Sequence, residues 1–245
     1  MTLTDAKPDL DKNGFSILPN IYTEIEIQQI LDIIENTDTS ADTFRKSANL
    51  FAIRQFLKEI PQSLPIIINE KLDNLIKQFF GNDYFIVKSI YFDKPGESNW
   101  FVAYHQDLTI SVDRKIETEG FGPWTVKQNQ FSVQPPLEIL ENIFAIRIHL
   151  DETNTANGAL KVIPGSHNKQ VYRPETINWS VEKEVSCDVP KGGIMIMKPL
   201  LLHSSGRTTN AARRRVIHIE FSNSNLPNNL KWAEQMNILK HESHA

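Results

Sequence analysis

The feature that most constrains this chain is a change of period near residue 83. Before it, apolar residues recur at helical spacing. Ile27, Ile30, Leu31 and Ile34 fall at i, i+3, i+4 and i+7, and Ile68, Leu72, Leu75, Ile76 and Phe79 form a second stripe. Thr23-Glu24-Ile25-Glu26 reads as a capping box at the start of the first stripe, and Gly81 as the C-terminal cap of the second. The segment from Leu50 to Ile60 reads as a shorter helix between them, with Arg54 as a surface or capping charge. After residue 83 the apolar runs shorten and become rich in β-branched and aromatic residues. Tyr84–Asp93, Tyr104–Val112, Phe144–Leu150, Leu160–Ile163, Gly193–Met197 and Arg214–Phe221 all read as strands. Helices first and many short strands later predict a sheet sandwich or jelly roll with helices on one outer face. The chain has no repeat and no linker, so 1–245 reads as a single domain, with a helical part at about 20–81 and a β part at about 84–221.

Two connections are long for a compact domain, Asp113–Asn142 and Asn168–Asp188, and such connections serve as lids or binding loops. The first carries Trp124, Lys127, Gln128, Asn129 and Gln130, which suit a small or medium polar metabolite.

Composition narrows the class further. A net charge of −4 gives no reason to expect nucleic acid or an anionic membrane surface as partner. No apolar run approaches the ~20 residues of a membrane span, and the N-terminus is too polar for a signal peptide. The single cysteine, Cys187, cannot form an internal disulfide and reads as a small buried residue. A cytoplasmic protein acting on a small molecule is expected, with no oligomeric state specified.

The chemistry lies in His105-Gln106-Asp107. Residues i and i+2 of a strand share a face, so an imidazole and a carboxylate can reach one metal ion. With seven histidines, a His-x-Asp arises in roughly one chain in three by composition alone, so the pair gains meaning only from its company. His203 ends the apolar run Gly193–Leu202 and precedes a polar loop, a suitable position for a third ligand. Such a 2-His-1-carboxylate facial triad leaves positions open for a co-substrate and dioxygen. The triplet Arg213-Arg214-Arg215 then opens the last strand, and one of the three could clamp a carboxylate. Arg214 shares a face with Val216, His218 and Glu220, whereas Arg213 and Arg215 share the apolar face of Ile217, Ile219 and Phe221. If the apolar face meets the helices, Arg214 points into the cavity; if the faces are reversed, Arg213 or Arg215 does.

Three stretches carry a resemblance. Phe92-Asp-Lys-Pro-Gly-Glu-Ser-Asn-Trp-Phe-Val-Ala-Tyr-His-Gln-Asp-Leu-Thr-Ile110, Asn157-Gly-Ala-Leu-Lys-Val-Ile-Pro-Gly-Ser-His167, and Leu202-His-Ser-Ser-Gly followed by Arg213-Arg-Arg-Val216 resemble the phytanoyl-CoA dioxygenase family of iron(II)/2-oxoglutarate oxygenases. Asn13-Gly14-Phe15 matches the family's beginning, and the likeness keeps the family's order from about residue 13 to 221.

The resemblance implies a double-stranded β-helix, that is, a cupin-like jelly roll. It implies iron(II) on His105, Asp107 and His203, with 2-oxoglutarate gripped by Arg214 and assisted by Ser205. Lys88 and Trp124 match further co-substrate contacts. The implied reaction consumes dioxygen, releases succinate and carbon dioxide, and hydroxylates an unactivated C–H bond. Relatives that halogenate lack the carboxylate that Asp107 supplies.

Other polar residues admit plainer roles. His167 reads as a structural hydrogen-bonding histidine and His218 as a packing or supporting residue. Arg147 and His149 either face the cavity and touch substrate or sit outside in a network with Asp151 or Glu152. Trp100, Asn99 and Lys94 either fix the start of the metal-motif strand or touch substrate, and His241 and His244 belong to a charged tail. Two rival functions remain open. One is a jelly-roll binding protein that has lost turnover; the other is a zinc hydrolase on the same ligands, which Arg214 and Ser205 disfavour.

Overall fold

A computed structural model describes residues 3–38, 43–47, 50–127 and 130–238; Gln128, Asn129, His241 and His244 lie outside them. The helical part begins with α1 (Leu3–Asn13), β1 (Phe15–Leu18), α2 (Glu24–Glu35), β2 (Phe44–Ser47) and β3 (Leu50–Arg54). It continues through α3 (Phe56–Glu59), α4 (Leu64–Ile67) and α5 (Glu70–Phe80). The β part opens with β4 (Phe85–Lys94), β5 (Val102–His105), β6 (Ile110–Val112), β7 (Trp124–Lys127), β8 (Gln130–Val133) and α6 (Leu137–Glu141). Then follow β9 (Ile143–His149), β10 (Leu160–Val162), β11 (Val185–Cys187), β12 (Ile194–Met197), β13 (His203–Ser205), β14 (Arg214–Ser222) and β15 (Met236–Asn237).

Among the described residues the strands form three antiparallel sheets. The major sheet runs β1-β12-β9-β14-β4-β3-β2, with β15 added beside β4; the second runs β11-β10-β13-β5 and the third β6-β8-β7. The molecule is mainly β with flanking helices. No helix among the described residues is long and apolar enough to cross a membrane.

Period-two alternation along the central strands decides what lies on each side of the major sheet. Phe144, Ile146 and Ile148 of β9, Ile194 and Ile196 of β12, and Ile217, Ile219 and Phe221 of β14 all enter one buried cluster. The stripes of α2 and α5 close that cluster, through Ile27, Ile30, Leu31 and Ile34 on one helix and Leu72, Leu75, Ile76 and Phe79 on the other. Phe144 is its keystone, stacked on Phe80 at 3.5 Å and on Phe221 at 4.9 Å between ring centroids. On the opposite face, Ala145, Met195 and Met197 pack against Leu160, Val162 and Cys187 of the second sheet.

The helix signals operate as expected. Thr23 Oγ1 accepts from the Glu26 N–H at 3.2 Å while the Glu26 carboxylate accepts from the Thr23 N–H at 2.7 Å, which closes the capping box of α2. Asn69 caps α5 through the Leu72 N–H, and Gly81 ends it at φ 97°, a value that favours glycine.

Three expectations need correction. Leu50–Ile60 is not one helix: Leu50–Arg54 is a strand, and only Phe56–Glu59 is helical. Pairing with both β2 and β4 overrides the local pattern, and the Phe51 ring meets Phe44 on one side and Tyr91 on the other. Tyr104–Val112 is likewise not one strand. The chain turns between His105 and Ile110, so β5 joins the second sheet and β6 the third. Asp113–Asn142, read as a loop, instead carries the β7–β8 hairpin and α6, whose apolar side chains pack with Val112 and Trp232 in a satellite cluster.

Removing the keystone ring should be costly. Phe144→Ala is expected to lower unfolding free energy in urea by about 3–5 kcal/mol. Ile25→Ala, on a side chain that is 71% exposed, should change it by less than about 0.5 kcal/mol.

Candidate metal centre

β5 and β13 are neighbours in the second sheet, and their register places His105 opposite His203. The two rings lie 4.2 Å apart between centroids. Asp107 follows β5 in the turn, where its N–H donates to the Pro199 carbonyl at 2.9 Å. That bond, rather than a continuous strand, turns the carboxylate toward the histidines. Its Oδ1 lies 3.9 Å from His105 Nε2 and its Oδ2 3.9 Å from His203 Nε2. The three ligand atoms all fall within 4.8 Å of one another. Bonds of about 2.1 Å to a first-row metal need only a modest inward movement from this spacing.

The donor set fits such an ion on a stricter test. His105 Nδ1 faces the Ala103 carbonyl at 2.9 Å and His203 Nδ1 faces the Leu201 carbonyl at 2.8 Å. A carbonyl oxygen only accepts, so each Nδ1 carries the proton and each Nε2 presents a lone pair toward Asp107. Burial works to raise the Asp107 carboxyl, but His203, Lys88, His218 and His105 outweigh it and bring it to about 2. Burial pushes His203 down to about 4. An ionised carboxylate and neutral imidazoles are the forms that bind a cation.

A cavity of about 180 Å³ extends from these residues between the sheets, lined also by Trp100, Arg147, Ser205, Arg214 and His218. Arg214 is the inward member of its triplet. Arg213 pairs with Asp93 and Arg215 with Asp151, at the edges of the helix-side face, while Arg214 is 3% exposed and has no carboxylate partner among the described residues. It donates to the Gly158 carbonyl through Nη1 and to Ser205 Oγ at 3.4 Å through Nη2. Its Nε is buried without a partner. Lys94, fully buried behind it, donates to the Gly206 carbonyl. Burial and the neighbouring Arg147 hold Arg214 down at about 9, and burial and Arg214 hold Lys94 at about 8. Buried cations with spare donors and no acid are what a carboxylate ligand would satisfy.

The remaining residues separate clearly. Arg147 and His149 face inward rather than toward Asp151, which pairs with Arg215. Lys88 forms an ion pair with Glu220 at 2.7 Å, and Glu220 also receives His218 Nε2 at 3.1 Å. Asp107, His218 and Glu220 thus make a second cluster of ligand type, but the Lys88 ammonium already supplies its cation. Trp124 lines neither this cavity nor the groove described next; its ring packs in the satellite cluster because it lies on the hairpin. His167 bonds the Asp11 carbonyl of α1 at 3.2 Å, a structural role.

A wider groove of about 490 Å³ adjoins the metal cavity and shares Lys88 and Ile90 with it. Its walls include Arg54, Lys58, Lys127 and Glu234. Glu234 is buried and accepts from both the N–H (3.0 Å) and the hydroxyl (2.6 Å) of Ser89. No motif in the sequence marks it.

The family model for phytanoyl-CoA dioxygenase (PhyH) matches residues 10–216. The chain belongs to that family. A relative described as a probable alpha-ketoglutarate-dependent hypophosphite dioxygenase, from Stutzerimonas stutzeri, is 22% identical over 87% of this chain and 76% of its own. Among solved structures, EctD from S. alaskensis with 2-oxoglutarate and 5-hydroxyectoine aligns with a TM-score of 0.69 at 17% identity, over 91% of this chain and 76% of that one. HygX from Streptomyces hygroscopicus, with nickel, 2-oxoglutarate and hygromycin B, aligns at 0.63 and 13% identity, over 91% and 87%. These two likenesses are of fold. As a member of the family, this chain is a non-haem iron dioxygenase that uses 2-oxoglutarate.

Burial raises the Glu234 carboxyl to about 7, partly offset by Ser89. Between its unfolded value of about 4.3 and 7 the native protein keeps a proton that the unfolded chain has released. Its contribution to stability therefore falls as pH rises through that window. Urea titrations at pH 5 and 7.5 should show a smaller difference in Glu234→Gln than in wild type, and equal differences would refute the assignment.

Proposed function

We propose that His105, Asp107 and His203 hold iron(II), that Arg214 and Ser205 grip the distal carboxylate of 2-oxoglutarate, and that the enzyme hydroxylates a small or medium polar metabolite. The observation that carries this reading is the cavity itself. One end converges three metal-ligating atoms, and the other presents a buried arginine whose Nε has no partner. We read the facing antiparallel sheets as the double-stranded β-helix, a jelly roll, and residues 1–245 as one catalytic unit working in the cytoplasm. The family, the sheet orders and the single cysteine support that reading. EctD and HygX are solved with small-molecule ligands, which supports a small-molecule substrate here.

When bound, iron couples decarboxylation of 2-oxoglutarate by dioxygen, giving succinate and carbon dioxide, to oxidation of a substrate C–H bond. The chain's own work is positioning. The Nδ1 bonds to Ala103 and Leu201 fix both imidazoles, and the Pro199 carbonyl fixes the turn that carries Asp107. Arg214 sits under the Gly158 carbonyl and Ser205 hydroxyl, so its guanidinium is oriented before a ligand arrives. Lys88, neutralised by Glu220, supports the wall between cavity and groove.

The test is anaerobic loading with iron(II) followed by dioxygen and 2-oxoglutarate. Succinate should form in wild type, zinc should inhibit it, and His203→Ala should bind little metal. Arg214→Met should weaken 2-oxoglutarate binding by about 30-fold or more, since leaving one member of a buried charge pair alone costs ~2–5 kcal/mol. Metal and 2-oxoglutarate binding without succinate, across a metabolite panel, would favour the turnover-deficient binding protein instead.

A further inference from the structure

The inward face of β9 carries an arginine that the reading above does not use. Arg147 is 9% exposed and lines the metal cavity. Its Nη1 donates to His218 Nδ1 at 3.2 Å, its Nε is buried without a partner, and no acid pairs with it among the described residues. The nearby Glu220 is already occupied by Lys88 and His218.

Position separates Arg147 from the co-substrate arginine. In the sheet register, Arg147 lies beside His218, and His218 lies beside Ile90 on the other side. Arg214 is four residues from His218 along β14, roughly 13 Å of backbone at about 3.3 Å per residue. Arg147 is therefore rooted at the end of the cavity where Lys88 and Ile90 open onto the wider groove.

Charge leads to the same place. Lys88 and Glu220 cancel, and Asp107 offsets one of the two charges of a divalent ion. Arg147, Arg214 and the buried Lys94 each add one more, and a bound diacid removes two. Two positive charges are left, one of them buried at Arg147, and an uncompensated buried charge is expensive. The groove leading to it presents Arg54, Lys58 and Lys127, none paired with an acid among the described residues, while its two acids are engaged, Asp113 beside Arg114 and Glu234 on Ser89, on a chain whose net charge is −4. A basic channel in an acidic protein concentrates anions where it leads.

We propose that Arg147 anchors an anionic group of the primary substrate, a carboxylate or a phosphonate-type oxyanion, delivered through the groove of Arg54, Lys58 and Lys127. This inference rests on the iron and 2-oxoglutarate reading and assigns the substrate class of that site.

Calorimetry on nickel-loaded full-length protein saturated with 2-oxoglutarate avoids turnover. The probes are methylphosphonate, acetate and neutral acetamide. At least one of the two anions should bind wild type saturably, and acetamide should not. Arg147→Gln should weaken that anion at least tenfold while leaving the 2-oxoglutarate Kd within threefold. Arg147→Lys, which keeps the charge and much of the volume, should retain more anion affinity than the glutamine variant and guards against an effect of misfolding. Three results overturn the inference alone: no anion binding beside intact 2-oxoglutarate binding, equal anion affinity in wild type and Arg147→Gln, or a loss confined to 2-oxoglutarate. Failure of nickel-loaded wild type to bind 2-oxoglutarate overturns the reading beneath it as well.

Discussion

Everything at the centre of this molecule depends on the two-residue alternation of β4, β9 and β14. Odd and even positions meet different solvents. One set enters a dry cluster beneath α2 and α5; the other lines a chamber that holds Lys88, Arg147, Arg214, His218 and Glu220. A shift of one residue in β9 or β14 would bury charge among isoleucines and turn apolar side chains into the chamber. The helical layer therefore acts as more than a cover. By demanding Ile217, Ile219 and Phe221 it fixes which arginine of three points inward.

That demand is also why so much was readable in advance. The stripes of α2 and α5, the capping box at Thr23 and the strands around β4, β9, β12 and β14 follow from local spacing. The face of Arg214 followed once the apolar face of β14 was identified. What local spacing does not encode depends on distant partners. Leu50–Arg54 is a strand because Phe44 and Tyr91 flank Phe51, and nothing within the segment announces either ring. Asp107 reaches the histidines through a turn held by the Pro199 carbonyl, 92 positions later in the chain, rather than by a strand's pleat. Arg147 could be placed on neither side from its own strand, because its destination is set by β14 and β12 beside it. Glu234 had no signal at all; its burial results from the C-terminal segment folding back onto Ser89.

The chamber is an expensive construction. Arg147 and Arg214 are both held below their ordinary basicity, Arg147 at about 10 chiefly by burial. His149 lies well below its usual range for the same reason, with both arginines adding to the effect. A fold that only had to be stable would place apolar residues there. The apolar cluster on the other face, with its Phe80–Phe144–Phe221 stack, supplies stabilisation that opposes the cost. Stability and preorganisation are thus divided between the two faces of one sheet.

β5 has a different consequence. It is four residues long and stands at the rim of the second sheet, where β13 is its one strand neighbour among the described residues, across a register shift. His203 belongs to β13, which has neighbours on both sides, and its side chain is 5% exposed, against 41% for His105. Two of the three proposed ligands, His105 and Asp107, lie on or just past this edge strand, tied down by the buried Gln106 side chain between them and by the Asp107 N–H bond to Pro199, and the third lies on the better anchored strand. Fraying of that short ribbon would release a pair of ligands in a single event while the helix-covered core stayed folded. On the proposed ligand set, release of the ion would need only this local opening at the rim and not global unfolding.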